Sequence, residues 1–315
     1  MESNTPNPSQ PNAPLGQKPG SGSSTTNKLK LNTTWKYMTV GGVMVVTTLS
    51  GIFLYNREDV PTDPAPIEAP AAPTPASNAN TIEMDGLDDF LEVDHHPDLA
   101  GGRTYTIESW IYPTAKKLGG IVSKRKDSES NTSYSFLVAP VRGALRVFFK
   151  VNKEDDDFYS NDEIPLNEWT HVAAVFDGND DEFQRKRIYI NGKLSKKGKS
   201  ESRKVNQFRT LFGIGMLLGN SVSNFSGKLD EVRFWNRALS EEEIRGHMCQ
   251  VLEGSESGLL GYWRFDGGTG STVRNYSQLQ GLDANFNNME PDEVWIDSPA
   301  CPELDWSMEP VTTAR

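Results

Sequence analysis

Asp85, Asp88 and Asp89 fall within five positions of one another in the run DGLDD, and Asp230 opens a later strand-like run, DEVRFW. Hard carboxylate oxygens from separate strands, joined by turn carbonyls, are the donor set that Ca²⁺ takes. Asp85, Asp88 and Asp230 are therefore read as candidate ligands of a structural Ca²⁺. Aspartates in such turns also bond local backbone amides with no ion involved. Both readings stand at this level.

Other residues that do chemistry are sparse. Glu83, Asp85 and Asp88 have an E-x-D-x-x-D spacing. Retaining glycoside hydrolysis needs two carboxyl groups held about 5–5.5 Å apart. Here Gly86 breaks the strand between them, and a turn is a poor platform, so no catalytic pair is assigned and the chain is read as non-enzymatic. His95 and His96 are adjacent and point opposite ways in extended chain. His171 sits in a strand-like run and is read as structural, and no Cys or His spacing suggests zinc. Cys249 and Cys301 are the two cysteines. They are either free thiols or a bridge, and a compartment outside the cytoplasm favours the bridge. Trp110, Trp169, Trp235, Trp263 and Trp295 invite a sugar-stacking role, although such aromatics more often pack a sandwich. No ligand-binding residue is assigned.

The elements that must position these residues lie in the second part of a 315-residue chain carrying 43 acidic and 32 basic side chains. That balance argues against a nucleic-acid role, because phosphate needs positive charge. Residues 1–34, rich in Asn, Pro, Ser and Thr, read as a disordered cytoplasmic tail. Residues 35–56 hold an uncharged apolar run between Tyr37 and Tyr55, long enough to cross a bilayer as one helix. Lys28, Lys30 and Lys36 before it, and Arg57, Glu58, Asp59 and Asp63 after it, keep the N-terminus cytoplasmic and send the rest outside. Residues 57–81 are a Pro/Ala-rich spacer, residues 82–303 a folded domain, and 304–315 a C-terminal tail.

Within the domain, strand-like runs cover Thr104 to Tyr112, Ile121 to Lys124, Ser133 to Val138, Ala144 to Val151, Trp169 to Phe176 and Arg187 to Ile190. Tyr105, Ile107 and Ile111 share one face of the first, with Thr106, Glu108 and Trp110 on the other. Asn191-Gly192 reads as a type I′ hairpin turn. Around Asp230, alternation puts Asp230, Val232 and Phe234 on one side and Leu229, Glu231, Arg233 and Trp235 on the other. Ser240 and Glu243 form a capping box that opens a short helix. The acidic run Glu154 to Asp157 and the basic cluster Lys193 to Lys204 read as solvated faces. Asn131, Asn224 and Asn275 each start an Asn-x-Ser/Thr sequon.

Five blocks carry a family resemblance: Met84 to Pro113, WTHVAAVFDG (Trp169 to Gly178), RIYINGKL (Arg187 to Leu194), GKLDEVRFWNRALSEEEI (Gly227 to Ile244) and the closing Gly258 to Ser277. In this order they resemble the laminin-G-like, concanavalin A-like lectin and glucanase jelly rolls. The resemblance implies an all-β fold of two antiparallel sheets stacked face to face, one concave, with ligands at that surface or its rim. It also implies a Ca²⁺ site where the first strands meet the late strand of Asp230. The expected function is a non-enzymatic, single-pass, membrane-anchored surface module that binds a glycan or a surface protein. The alternatives are an accessory subunit of a membrane-anchored assembly and a glycan-cleaving enzyme.

Overall fold

The protein is described here by a computed structural model covering residues 36–40, 43–48, 51–56, 80–126, 132–153, 158–219, 223–297 and 301. The expected tails, most of the spacer, the acidic run 154–157 and Asn131 lie outside the described residues. The chain divides into two units, Met1–Ala71 and Ala72–Arg315.

In the first unit, β1 (Lys36–Val40), β2 (Val43–Thr48) and β3 (Gly51–Asn56) pair as an antiparallel sheet. This differs from the helix expected over 35–56, and no described helix is long and apolar enough to cross a membrane. The physical reason lies in the residue types. Thr39, Val40, Val43, Val45, Val46, Thr47, Thr48 and Ile52 are β-branched, and Gly41-Gly42 and Ser50-Gly51 punctuate the run.

The second unit is a two-sheet sandwich. Its strands are β4 (Asn80–Asp85), β5 (Phe90–Val93), β6 (Thr104–Pro113), β7 (Gly119–Arg125), β8 (Thr132–Val141), β9 (Ala144–Val151) and β10 (Thr170–Asp177). They continue with β11 (Lys186–Ile190), β12 (Lys193–Gly198), β13 (Phe212–Ile214), β14 (Ser226–Trp235), β15 (Leu259–Trp263), β16 (Thr272–Val273), β17 (Ala284–Asn287) and β18 (Trp295–Asp297). Helix α1 (Glu241–His247) follows β14, and α2 (Pro291–Val294) precedes β18.

One sheet runs β12-β11-β10-β6-β14-β4-β18, with β15 on the far half of β14; the other runs β16-β17-β5-β13-β7-β8-β9. All described pairings in both are antiparallel. Tyr105, Ile107 and Ile111 of β6 meet Phe136 and Phe149 of the second sheet in one buried core. The expected alternation along β6 therefore holds. Asn191 and Gly192 both have positive φ, as the tight β11–β12 turn requires. Ser240 accepts from the Glu243 amide at 3.2 Å, and Glu243 accepts from the Ser240 amide at 2.8 Å.

Strand β14 departs from simple alternation. A bulge lies between Asp230 and Arg233, and Glu231 has φ +52°. The extra residue moves Leu229 to the core side with Val232 and Phe234, and turns Asp230 outward opposite Trp110.

The outer face of the first sheet is also buried over most of its length. Ala173, Val175, Tyr189, Trp235 and Tyr262 pack there against Leu239, Ile244, Leu252 and Leu259. Cys249 and Cys301 form a disulfide beside Trp110, Trp169 and Met248. The chain after α1 is thus pinned across the sheet.

Candidate functional site

Two polar constellations stand out, and different elements build each. The first is at the end of β4. Asp85 closes the strand, and Gly86 turns the chain at φ +77° with no room for a side chain, because Ser226 and Lys117 stand where a Cβ would go. Asp85 Oδ1 accepts from the Leu87 amide at 2.6 Å, and Asp89 Oδ2 accepts from the Asp85 amide at 2.9 Å. Lys117 Nζ donates to the Gly86 carbonyl. These bonds gather Asp85, Asp88 and Asp89, each offering an oxygen within 4.8 Å of the others.

Facing them is α2. Asn288 donates to the Asp88 carbonyl at 3.3 Å, and Glu290 immediately precedes the helix that carries Glu293. The result is a cleft of about 400 Å³ into which Glu83, Asp85, Asp88, Asp89, Glu290 and Glu293 all face. Burial, and then the neighbouring Asp85 and Asp88 carboxylates, push the Asp89 pKa up despite the Asp85 amide bond that lowers it. Negative charge is crowded here, and hard oxygens are the donors. That set fits a Ca²⁺ ion.

Asp230 does not join this group. In register Asp85 lies opposite Ser226, four positions along β14 from Asp230, or about 13 Å of strand. Asp230 is fully buried, and its Oδ1 accepts from the Glu231 amide at 2.8 Å. Burial, then the Glu231 charge, holds its pKa well above the usual carboxylate range. Height along β14 sets the separation, and the bulge turns Asp230 under the roof of the outer face. Asp89 stands in the trio instead.

The second constellation is on that roofed face. Arg233 donates to Glu231 and to the carbonyls of His247 (2.8 Å) and Gln250 (2.7 Å). Trp235 donates to Glu108 at 2.9 Å, Tyr262 donates to Glu231 at 2.6 Å, and Trp110 donates to the Met248 carbonyl at 2.6 Å. His171 Nε2 lies 3.5 Å from Glu108, and burial pulls its pKa down to about 3. These groups are sealed from solvent. They hold the segment after α1 in place, and no substrate reaches them.

Among the histidines, His171 is structural in this network, while His96 accepts from the Asp98 amide at 3.3 Å. Trp110, Trp235 and Trp263 are buried packing residues, whereas Trp169 and Trp295 are half-buried. Glu290 and Glu293 escaped sequence reasoning because they lie some two hundred positions from Asp85, and only the Pro-Asp-Glu helix start hinted at an element there.

The concanavalin A-like lectin/glucanases superfamily matches residues 85–245, slightly over half of the chain. The chain belongs to this superfamily. A Bacteroides ovatus protein described as carbohydrate-binding superposes with TM-score 0.55 at 18% identity, covering 82% of this chain and 69% of that one. At that identity the likeness speaks for the superfamily fold. A heptameric pentraxin from Limulus polyphemus (TM-score 0.38, 18% identity, 63% of this chain and 100% of that one) is more distant. So is domain 4 of a Geobacillus stearothermophilus arabinanase in complex with arabinotriose (TM-score 0.41, 18% identity, 54% and 76%). No curated protein matches the sequence.

Proposed function

We propose that this protein is a non-enzymatic carbohydrate-binding module of the concanavalin A-like superfamily. The observation that carries the reading is the acidic cleft at the end of β4, placed at the rim of a lectin-type sandwich. Asp85, Asp88 and Asp89 would hold a structural Ca²⁺ there, fixing the turn that bears Leu87. The ion supplies charge neutralisation and rigidity. Asp85 and Asp89 are tied to amides of their own turn, which suits holding a cation better than flanking a glycosidic bond.

The uncharged run between Lys36 and Arg57 supports attachment to a membrane, with the sandwich on the outer side. A bilayer satisfies no backbone polar group, so insertion would favour helix over the strands β1–β3. The module would then present its rim to glycans outside the cell.

The test is binding of the full chain to a broad glycan array, with Ca²⁺ and again with chelator. Reproducible Ca²⁺-sensitive binding to one glycan class is expected. Silence in both conditions from folded protein moves the reading to a protein-binding subunit of an assembly.

A further inference from the structure

Most of the outer face of the large sheet is roofed, but the rung of Lys228 is not. Lys228 of β14 lies opposite Glu83 of β4 on one side and Tyr112 of β6 on the other. The β10 register carried one residue back places Trp169 beside Tyr112. All four are half-buried, while Trp110 and His171, one rung inward, are buried. The Tyr112 and Trp169 rings stand 5.5 Å apart at 62°, and Lys228 Nζ is 4.8 Å from the Tyr112 centroid.

We propose that Trp169 and Tyr112 form the stacking platform for the glycan, with Lys228 and Glu83 reading its hydroxyls, and that the ligand is uncharged. This rests on the carbohydrate-binding reading above and assigns its contact residues. A pyranose ring has an apolar C–H face and a rim of hydroxyls. The Trp169 indole gives the apolar seat, and the Tyr112 phenol, tilted 62° to it, walls one side. The ammonium supplies donors and the carboxylate acceptors at the edge of that seat. Trp169 also packs against the buried cluster of Trp110 and Met248, so little freedom is lost when a sugar lands on it.

Charge decides the ligand class. Glu83 is shared with the cleft, where Glu290 and Glu293 remain as carboxylates beyond the three aspartates that would hold the ion. A sialylated, uronic or sulfated glycan meets like charge on that side, whereas a neutral one does not.

The experiment uses the full chain on an array of neutral gluco-, galacto- and manno-oligosaccharides with their sialylated and sulfated counterparts. Wild type is compared with Trp169→Ala, Tyr112→Ala and Lys228→Gln, each checked for folding by thermal melt. Binding to neutral glycans alone is expected, weakened about tenfold or more by each aromatic truncation. If Trp169→Ala does not fold, Tyr112→Ala and the mild surface change Lys228→Gln carry the test. Unchanged neutral-glycan binding in the folded variants overturns the platform while the module still binds carbohydrate. Preference for sialylated or sulfated glycans overturns the uncharged ligand. Wild-type silence sinks the binding reading itself. A wild-type dimer in sedimentation that Trp169→Ala abolishes would mean a second copy covers the platform, and overturns it too.

Discussion

Glu108 Oε1 lies 3.5 Å from Arg233 Nη1, with both side chains shut away from water on the outer face of the large sheet. Burial alone would lower the Arg233 pKa, but Glu231, Tyr262 and Glu108 around it hold the guanidinium charged. Removing one partner leaves the others buried and uncompensated. Arg233→Met should cost about 3–5 kcal/mol in urea unfolding. It also frees the carbonyls of His247 and Gln250, so amide exchange after α1 should rise.

His171 adds a pH dependence. Its ordinary pKa of 6.5 falls to about 3 in the folded protein, because burial disfavours the charged ring. The unfolded chain therefore binds the extra proton between these values. The stability contribution is fully present above pH 6.5 and is lost as pH falls toward 3. Unfolding free energy should drop with a slope of up to about 1.4 kcal/mol per pH unit from this group. His171→Gln, followed by denaturant titrations at pH 7, 5 and 4, should flatten that slope. An unchanged slope would place the acid sensitivity elsewhere.

Asp89 works with the opposite sign. Its folded pKa lies above 3.8, so the native state holds the proton more tightly than the unfolded chain. That stability is fully present below pH 3.8 and is lost as pH rises through the raised native value. Asp89→Asn should raise the melting temperature at pH 7 without Ca²⁺ and make no difference at pH 3. Added Ca²⁺ should stabilise wild type at pH 7 and the variant less.

Gly227 takes φ +128°, and a Cβ there would sit 2.0 Å from the Tyr112 carbonyl oxygen. That oxygen is backbone and cannot swing away. Gly227→Ala should cost at least about 2 kcal/mol, measured by chemical denaturation. A neutral outcome would mean that β6 and β14 can separate at this end.

The Cys249–Cys301 bridge spans a sequence separation of 52. Closing such a loop contributes at most about 4 kcal/mol by the chain-entropy argument. Cys249→Ser with Cys301→Ser should lower stability toward that amount. Thiol counting on unfolded, unreduced wild type should find none.

The strands were legible where one signal dominated. Alternation along Thr104 to Tyr112, Asn191-Gly192 between two β runs, and Ser240 with Glu243 each name a local geometry with one solution. Alternation failed on β14 because a bulge adds a residue, and nothing in Asp230-Glu231 announces left-handed backbone on a glutamate. The candidate site was half legible for a related reason. Asp85, Asp88 and Asp89 share one turn, so proximity in sequence became proximity in space. Asp230 was grouped with them on the family resemblance, which names strands that meet but not the height of a residue along them. The buried charges Glu108, Glu231 and Arg233 look like solvent-facing residues until the segment after α1 is laid over them.

Asn80 and Asp297 are cross-strand partners, so β4 and β18 bring the entry and exit of the sandwich to one point on its edge. A pull on the chain beyond Cys301 would pass through the bridge into Cys249, so the three β4–β18 pairs lie off that load path. The load would reach the sandwich beside Trp110 and Trp169, ahead of the edge strand. A tether on that side therefore draws on the middle of the outer face, and only reduction of the bridge would move the strain to the shortest edge of the sandwich.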